Sequence, residues 1–293
     1  MGELRFGTAG LAEDYEQLGY RTVFQVPEYL QAYGLDAFEY QCGRGVRLTE
    51  ANGRRLGALG AAKNIRFSLH APYYISMSSM EEDKRLGSIR YLLESAAAVR
   101  ALGGRRIIFH SGSCGRQSRE QALAKALDTM RRAVEALDEN GFGDLTLCPE
   151  TMGKVGQLGT LSEVLALCGV DPRITPCIDF GHLNARTQGG LAAKADFAAV
   201  LDEMEQTLAD ERAQNFHVHF SKIEYTQGGE KQHLTFADTH FGPDYEPLLE
   251  LCAARGLTPT VICESAGTQA ADARTMKLYY DALPKGGDAC RQS

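Results

Sequence analysis

Histidines and carboxylates stand at the ends of apolar, strand-like runs throughout this 293-residue chain. SLHAPYY carries His70, IIFHSG carries His110, LCPE ends on Glu150, and CIDFGH holds Asp179 and His182. Further on, NFHVHFSK holds His217 and His219, GGEKQHLTF holds His233, and VICES holds Glu264. Imidazole and carboxylate without a Cys-x-x-Cys pair is a donor set suited to Zn²⁺, Mn²⁺ or Fe²⁺. A single histidine at a strand end is more often a hydrogen-bonded core residue than a ligand. Their coincidence carries the inference: burying Glu150, Asp179 and Glu264 together without cations is costly, so their convergence calls for metal.

Such convergence requires a scaffold that brings strand ends from the whole chain to one place. Strand-like runs occur at 4–8, 37–42, 66–71, 106–111, 145–150, 175–180, 215–220 and 259–264, with helical stretches between them. Leu86, Ile89, Leu93, Ala96 and Val99 recur at spacings of three and four over 84–102, as do Leu123, Leu127, Met130, Val134 and Leu137 over 119–139. Both patterns predict amphipathic helices lying on a sheet. Ser118 with Gln121 marks the start of the second helix and Asn140-Gly141 its end, while Thr160 with Glu163 opens another. A shorter helix over 242–256 closes at Gly256. Eight strand–helix units with no linker predict a (β/α)₈ TIM barrel, a single domain over 1–284, with 285–293 a disordered tail. In such barrels catalytic residues gather at the C-terminal strand ends, where the candidate ligands fall.

Composition is ordinary for a globular protein, 44% hydrophobic and 24% charged. The net charge of −7 argues against a protein that coats nucleic acid by bulk electrostatics, yet is compatible with a nucleic-acid enzyme that uses bound cations. The eight cysteines form no Cys-x-x-Cys pair and several lie in apolar runs, which reads as buried free thiols in a reducing compartment. Strand-like sequence begins at Leu4, leaving no signal peptide, and no apolar run approaches a membrane span, so a cytoplasmic location is expected. Tyr73 and Tyr74 follow His70 at the barrel mouth, where they either stack on a base or sugar or cover the core. Arg44 and Arg47 in GRGVR sit where they could meet a phosphate, with Lys222 and Lys231 further cations on that face. His217 and His219, two apart, face the same side of one strand.

As an ordered set, HAPY, FHSGS, ETMG, IDFGH, HVHFSK and the strand-end Glu264 resemble the endonuclease IV family of abasic-site nucleases, within the xylose-isomerase-like barrels. The resemblance spans about Leu4 to Leu283. It implies a metal-dependent phosphodiesterase that binds two or three Zn²⁺ per chain and hydrolyses the phosphodiester 5′ to abasic sites in duplex DNA, acting as a monomer. It implies that His70, His110 and Glu150 hold a first metal, with Glu150 bridging to a second held by Asp179, His217 and Glu264. His182 and His233 would hold a third. Glu150 would orient or deprotonate the attacking water. His217 rather than His219 takes the ligand position through its spacing to Lys222, leaving His219 as a substrate contact. The family's carboxylate two residues before His233 is Lys231 here, with Glu230 one residue out of register. A single-metal sugar isomerase or epimerase is the principal rival. It would use Glu150, Asp179, His217 and Glu264 and has no need of the other histidines. A lesion-binding protein that has lost catalysis is a second rival.

Overall fold

Each of the eight apolar runs forms a barrel strand in the computed structural model, which describes residues 3–284. The expected tail 285–293 lies outside the described residues. The strands are β1 (Arg5–Ala9), β2 (Ala37–Gln41), β3 (Arg66–His70), β4 (Arg106–Phe109), β5 (Thr146–Pro149), β6 (Cys177–Asp179) and β7 (His217–Phe220), with the eighth, β10, at Thr260–Cys263. An antiparallel pair that the sequence reading did not anticipate, β8 (Ile223–Thr226) and β9 (Gly229–His233), is inserted after β7. The parallel order is β5-β4-β3-β2-β1-β10-β7-β6. Between β5 and β6 the ladder shrinks to one bridge, Glu150 with Cys177, flanked by Thr151 N donating to Cys177 O (3.0 Å) and Thr175 N to Leu147 O (3.0 Å). The barrel therefore closes at the carboxylate around which the site is gathered.

Helices α1 (Asp14–Gln17), α2 (Val26–Ala32), α3 (Glu50–Ala61), α4 (Glu82–Ala101), α5 (Arg119–Glu139), α6 (Leu161–Cys168), α7 (Phe180–Arg186), α8 (Lys194–Leu208), α9 (Glu246–Arg255) and α10 (Gln269–Ala282) complete the fold. The capping boxes at Ser118–Gln121 and Thr160–Glu163 start α5 and α6. Left-handed Gly256 ends α9. Leu86 departs from its expected role: it points outward from α4, which buries Ile89, Leu92, Ala96 and Val99 instead.

Strand alternation produces two apolar layers. Phe38, Leu69, Ile107, Leu147, Ile178, Val218 and Val261 point out under the helices in one continuous core. Ile108, Cys148 and Cys177 point inward as a small separate cluster. Two residues further along their strands come His110, Glu150 and Asp179, so the same alternation that plugs the barrel centre delivers the polar site above it. Cys42, Cys114, Cys148, Cys168, Cys177, Cys252 and Cys263 are free and buried, and burial pushes thiols such as Cys148 and Cys263 up to about 12. No helix among the described residues is long and apolar enough to cross a membrane.

Strand spacing at β1–β2 depends on Gly7, where an added Cβ would lie 2.0 Å from Ala37 O. Gly7→Ala must push β1 from β2 and is expected to cost on the order of 3 kcal/mol, read as a lowered urea midpoint at unchanged slope.

Candidate metal centre

Glu150 is the hub. Its side chain is 1% exposed, with Oε2 3.1 Å from His70 Nε2 and 3.3 Å from His110 Nε2. Its Oε1 lies 3.1 Å from His219 Nδ1 and 3.3 Å from His182 Nδ1. Burial alone would lift this carboxyl; the imidazoles, His219 foremost, outweigh it and hold the group well below the usual carboxylate range. Three donor groups at the mouth lie within coordination reach: His70, His110 and Glu150; Glu150, Asp179, His219 and Glu264; and His182, Glu230 and His233. A fourth grouping, Cys177 with His217 and His219, is wholly buried beneath them. The mouth groups open into a cavity of about 420 Å³ at the C-terminal ends of the strands, also lined by Gln41, Tyr73, Met152, Lys154 and Gln157.

Local structure explains each placement. Asp179 caps α7, its Oδ1 accepting from His182 N at 2.7 Å, which swings His182 into the first helical turn beside it. The other oxygen, Asp179 Oδ2, is buried and accepts no hydrogen bond. Between β8 and β9 the register skips a residue: Glu224 pairs with Gln232 and Tyr225 with Glu230, leaving Lys231 as a bulge. Glu230 and His233, three apart, therefore share the inner face, an arrangement a regular strand forbids. Lys231 and Gln232 turn outward onto Glu224, at 2.6 and 2.7 Å.

These residues fit divalent cations. Carbonyl oxygens only accept, so His70 Nδ1 donates to Ala71 O and His182 Nδ1 to Thr151 O, each at 3.0 Å. His233 Nδ1 is held by Ser221 Oγ at 2.8 Å. In all three rings Nε2 is left facing the site, the usual preparation of a metal-binding histidine. His182 Nε2 sits 3.4 Å from Glu230 Oε2, a lone pair against a carboxylate unless a proton or cation intervenes. Burial lifts Asp179 to about 6, an anion wanting a counter-charge.

Several expectations are corrected. His217 does not join the group of Asp179 and Glu264. It lies one pleat deeper, its Nε2 2.9 Å from Glu39 Oε2, and His219 stands in its place with Nδ1 3.6 Å from Glu264. Lys231 is turned away by the bulge, and Glu230 supplies the carboxylate. Lys222 reaches Asp238 O (2.7 Å) and Asp244 (3.0 Å) rather than the cavity. Tyr74 packs toward Tyr91, ring centroids 5.8 Å apart, while Tyr73 lines the cavity against His110. Arg44 and Arg47 are exposed on the loop after β2, where Gly43 O accepts from Tyr73 N (3.1 Å).

Glu39 and Lys154 were missed. Glu39 is fully buried, 3.0 Å from His219 Nε2 and from Ser68 Oγ, and it fixes both histidines of β7. The signal was present: a carboxylate in the apolar run AFEYQC can stand only against a partner. Lys154 lacks such a signal, since only the fold of the loop after β5 brings it to the cavity.

Residues 27–281 match the xylose isomerase-like TIM barrel family. The chain belongs to that family. It is 33% identical to the uncharacterized protein MJ0133 of Methanocaldococcus jannaschii, over 95% of this chain and 97% of that one. A probable endonuclease 4 of Shouchella clausii is 28% identical over 59% of each chain. Among solved structures, endonuclease IV from Thermus thermophilus superposes with TM-score 0.67 at 20% identity, covering 95% of this chain and 100% of that one. A D-tagatose 3-epimerase-like protein superposes with TM-score 0.69 at 19% identity, covering 98% and 100%. At these identities the superpositions speak for the barrel alone.

Two outcomes follow from the geometry. Glu230→Gln should lower cation content per chain while Lys231→Ala leaves it unchanged, by elemental analysis of the purified proteins; equal content in both would remove Glu230 from the site. Burial lowers His217 from 6.5 to about 4, and the flanking histidines lower Glu39. Both folded-state values lie below their unfolded ones, so both contributions are present near neutral pH and lost as pH falls. The loss for His217 spans about pH 6.5 to 4 and is on the order of 3 kcal/mol. Urea midpoints should fall across that window, with a shallower fall in His217→Gln.

Proposed function

We propose that this chain is a divalent-cation-dependent phosphodiesterase that cleaves duplex DNA on the 5′ side of abasic sites, acting as a monomer. The carrying observation is the number of donors. His70, His110, Glu150, Asp179, His219, Glu264, His182, Glu230 and His233 form three groups clustered about Glu150. A structural zinc takes about four ligands, so these are enough for two or three ions. The weak likeness to probable endonuclease 4 sequences agrees with this reading.

Bound Zn²⁺, or Mn²⁺ or Fe²⁺, would supply Lewis-acid stabilisation of phosphate oxygens and hydroxide near neutral pH. His70, His110 and Glu150 would hold one ion, Glu150, Asp179, His219 and Glu264 the next, and His182, Glu230 and His233 the third. Glu150, with an oxygen toward each of the first two groups, orients the attacking water and takes its proton. Lys154, at the cavity wall, offers a charge to the phosphate. Tyr73 presents its ring at the mouth, 60% exposed, for an extruded sugar to stack on. Arg44 and Arg47 on the adjoining loop reach the flanking phosphates. An abasic nucleotide is cheaper to extrude than a paired one, which gives lesion preference without base readout.

A second reading has one specific support. Glu150, Asp179, His219 and Glu264 form a self-sufficient set for one cation, with two glutamates able to move a proton at carbon. It leaves five of the donors without a task.

The deciding experiment is cation stoichiometry and cleavage of a duplex with one synthetic abasic site, on the same preparation. Two or three ions per chain with cleavage 5′ to the lesion, reduced by about 10²–10⁴-fold in Glu150→Gln, is expected. One ion per chain, no cleavage, and turnover of a ketose would replace this reading with the epimerase.

A further inference from the structure

The opposite end of the barrel holds a second cavity, of about 630 Å³, which none of the three donor groups of the C-terminal mouth lines. Its wall is built from the first residues of strands: Arg66 of β3, Arg106 of β4, Thr146 of β5, His217 of β7 and Thr260 of β10. Arg105, Arg173 and Arg212 complete a ring of guanidiniums, opposed by Asp144 and Glu211.

Most of those charges can be assigned. Arg173 is committed to Asp171 and Asp138, Arg212 to Asp210, and Asp144 to Arg100. Arg66, Arg105 and Arg106 remain, against Glu211 alone. Arg106 donates only to neutral oxygens, Phe216 O at 3.0 Å and Asn215 Oδ1 at 3.0 Å among them. The Arg66 and Arg105 side chains make no hydrogen bond or ion pair among the described residues, and both are exposed. Desolvation within the mouth and the like charges of Arg5 and Arg106 depress the pKa of Arg66, with Asp36 and Glu3 acting the other way. Below them, Thr260 Oγ1 and His217 Nδ1 are buried without a hydrogen-bond partner. In a chain of net charge −7, three guanidiniums without an ion-pair partner at one concave mouth leave a local excess of positive charge, offset in part by Glu211 and, near Arg66, by Asp36 and Glu3.

We infer that this N-terminal mouth binds a small phosphate-bearing anion, of pyrophosphate to nucleotide size, through Arg66, Arg105 and Arg106. Guanidinium forks match phosphate oxygens in pairs, and the cavity falls within the range of small-ligand sites. A funnel floored by strand starts suits a compact anion better than a duplex, whose phosphates lie along an extended convex surface. The inference stands apart from the cation centre and does not depend on the proposed nuclease activity.

The test is calorimetric titration of the metal-loaded protein with inorganic pyrophosphate, repeated on Arg66→Ala/Arg105→Ala and on Glu150→Gln. Neither arginine side chain makes a hydrogen bond or ion pair among the described residues, so the double variant should melt close to the parent. Loss of two charge-assisted contacts is expected to weaken binding at this site about tenfold or more, with Glu150→Gln retaining it. Unchanged binding in the double variant, or binding lost only in Glu150→Gln, would put the anion at the cation centre and overturn the assignment. No binding to the parent would overturn it too. So would a double variant altered in affinity for undamaged duplex DNA and not for pyrophosphate. If the double variant melts early, Arg105→Gln alone supplies the comparison.

Discussion

Everything at the C-terminal mouth turns on keeping Glu150 ionised although it is almost wholly buried. A lone buried carboxylate would take up a proton, yet this one is surrounded by four imidazoles, and its own backbone forms the bridge that closes the barrel between β5 and β6. Fold closure and site assembly are thus one event. Until β5 and β6 meet, Asp179 at the end of β6 and His182 in the first turn of α7 stand apart from Glu150, and the donor group that Glu150 shares with Asp179 is incomplete. The converse also holds: the ladder is thinnest at this seam, so electrostatic attraction across it supplements the missing backbone pairs.

A second layer beneath the first holds that arrangement rigid. Glu39 lies between His217 and His219, on a strand opposite theirs, hydrogen-bonded to His217 Nε2 and in close charge contact with His219 Nε2 at 3.0 Å. His217 thereby spends its Nε2 on positioning, whereas His219 keeps Nδ1 toward Glu150 and Glu264. Two identical side chains two residues apart take different tasks because the barrel interior is layered along its axis. The deeper layer meets Glu39 and the inner apolar cluster, and the shallower one meets the other carboxylates.

That layering marks where the sequence is legible and where it is not. The eight strands, the capped helices and most donors could be read because each obeys a local rule: apolar runs, capping boxes, a polar residue ending a strand. The choice between His217 and His219 obeys none, since both share the inward face and only depth separates them. The Glu230–Lys231 question likewise turns on a bulge, which shifts which residues share a face without changing residue types. The β8–β9 hairpin that carries the bulge is short, polar and outside the barrel, so no hydrophobic periodicity announces it. Lys222, a cation by type, is spent on Asp238 and Asp244 through loop folding alone.

The bulge also explains why a lysine is tolerated at the place where a carboxylate was expected. The hydrogen bond from Glu230 N to Gly153 O (3.2 Å) clamps the hairpin to the loop after β5. That clamp fixes Glu230 opposite His182 whatever residue occupies the bulged position, and the bulged side chain faces solvent, where a charge costs little. Lysine there adds an ion pair to Glu224 and takes nothing from the site. The bulge, rather than the spacing to His233, decides that Glu230 is the side chain facing His182.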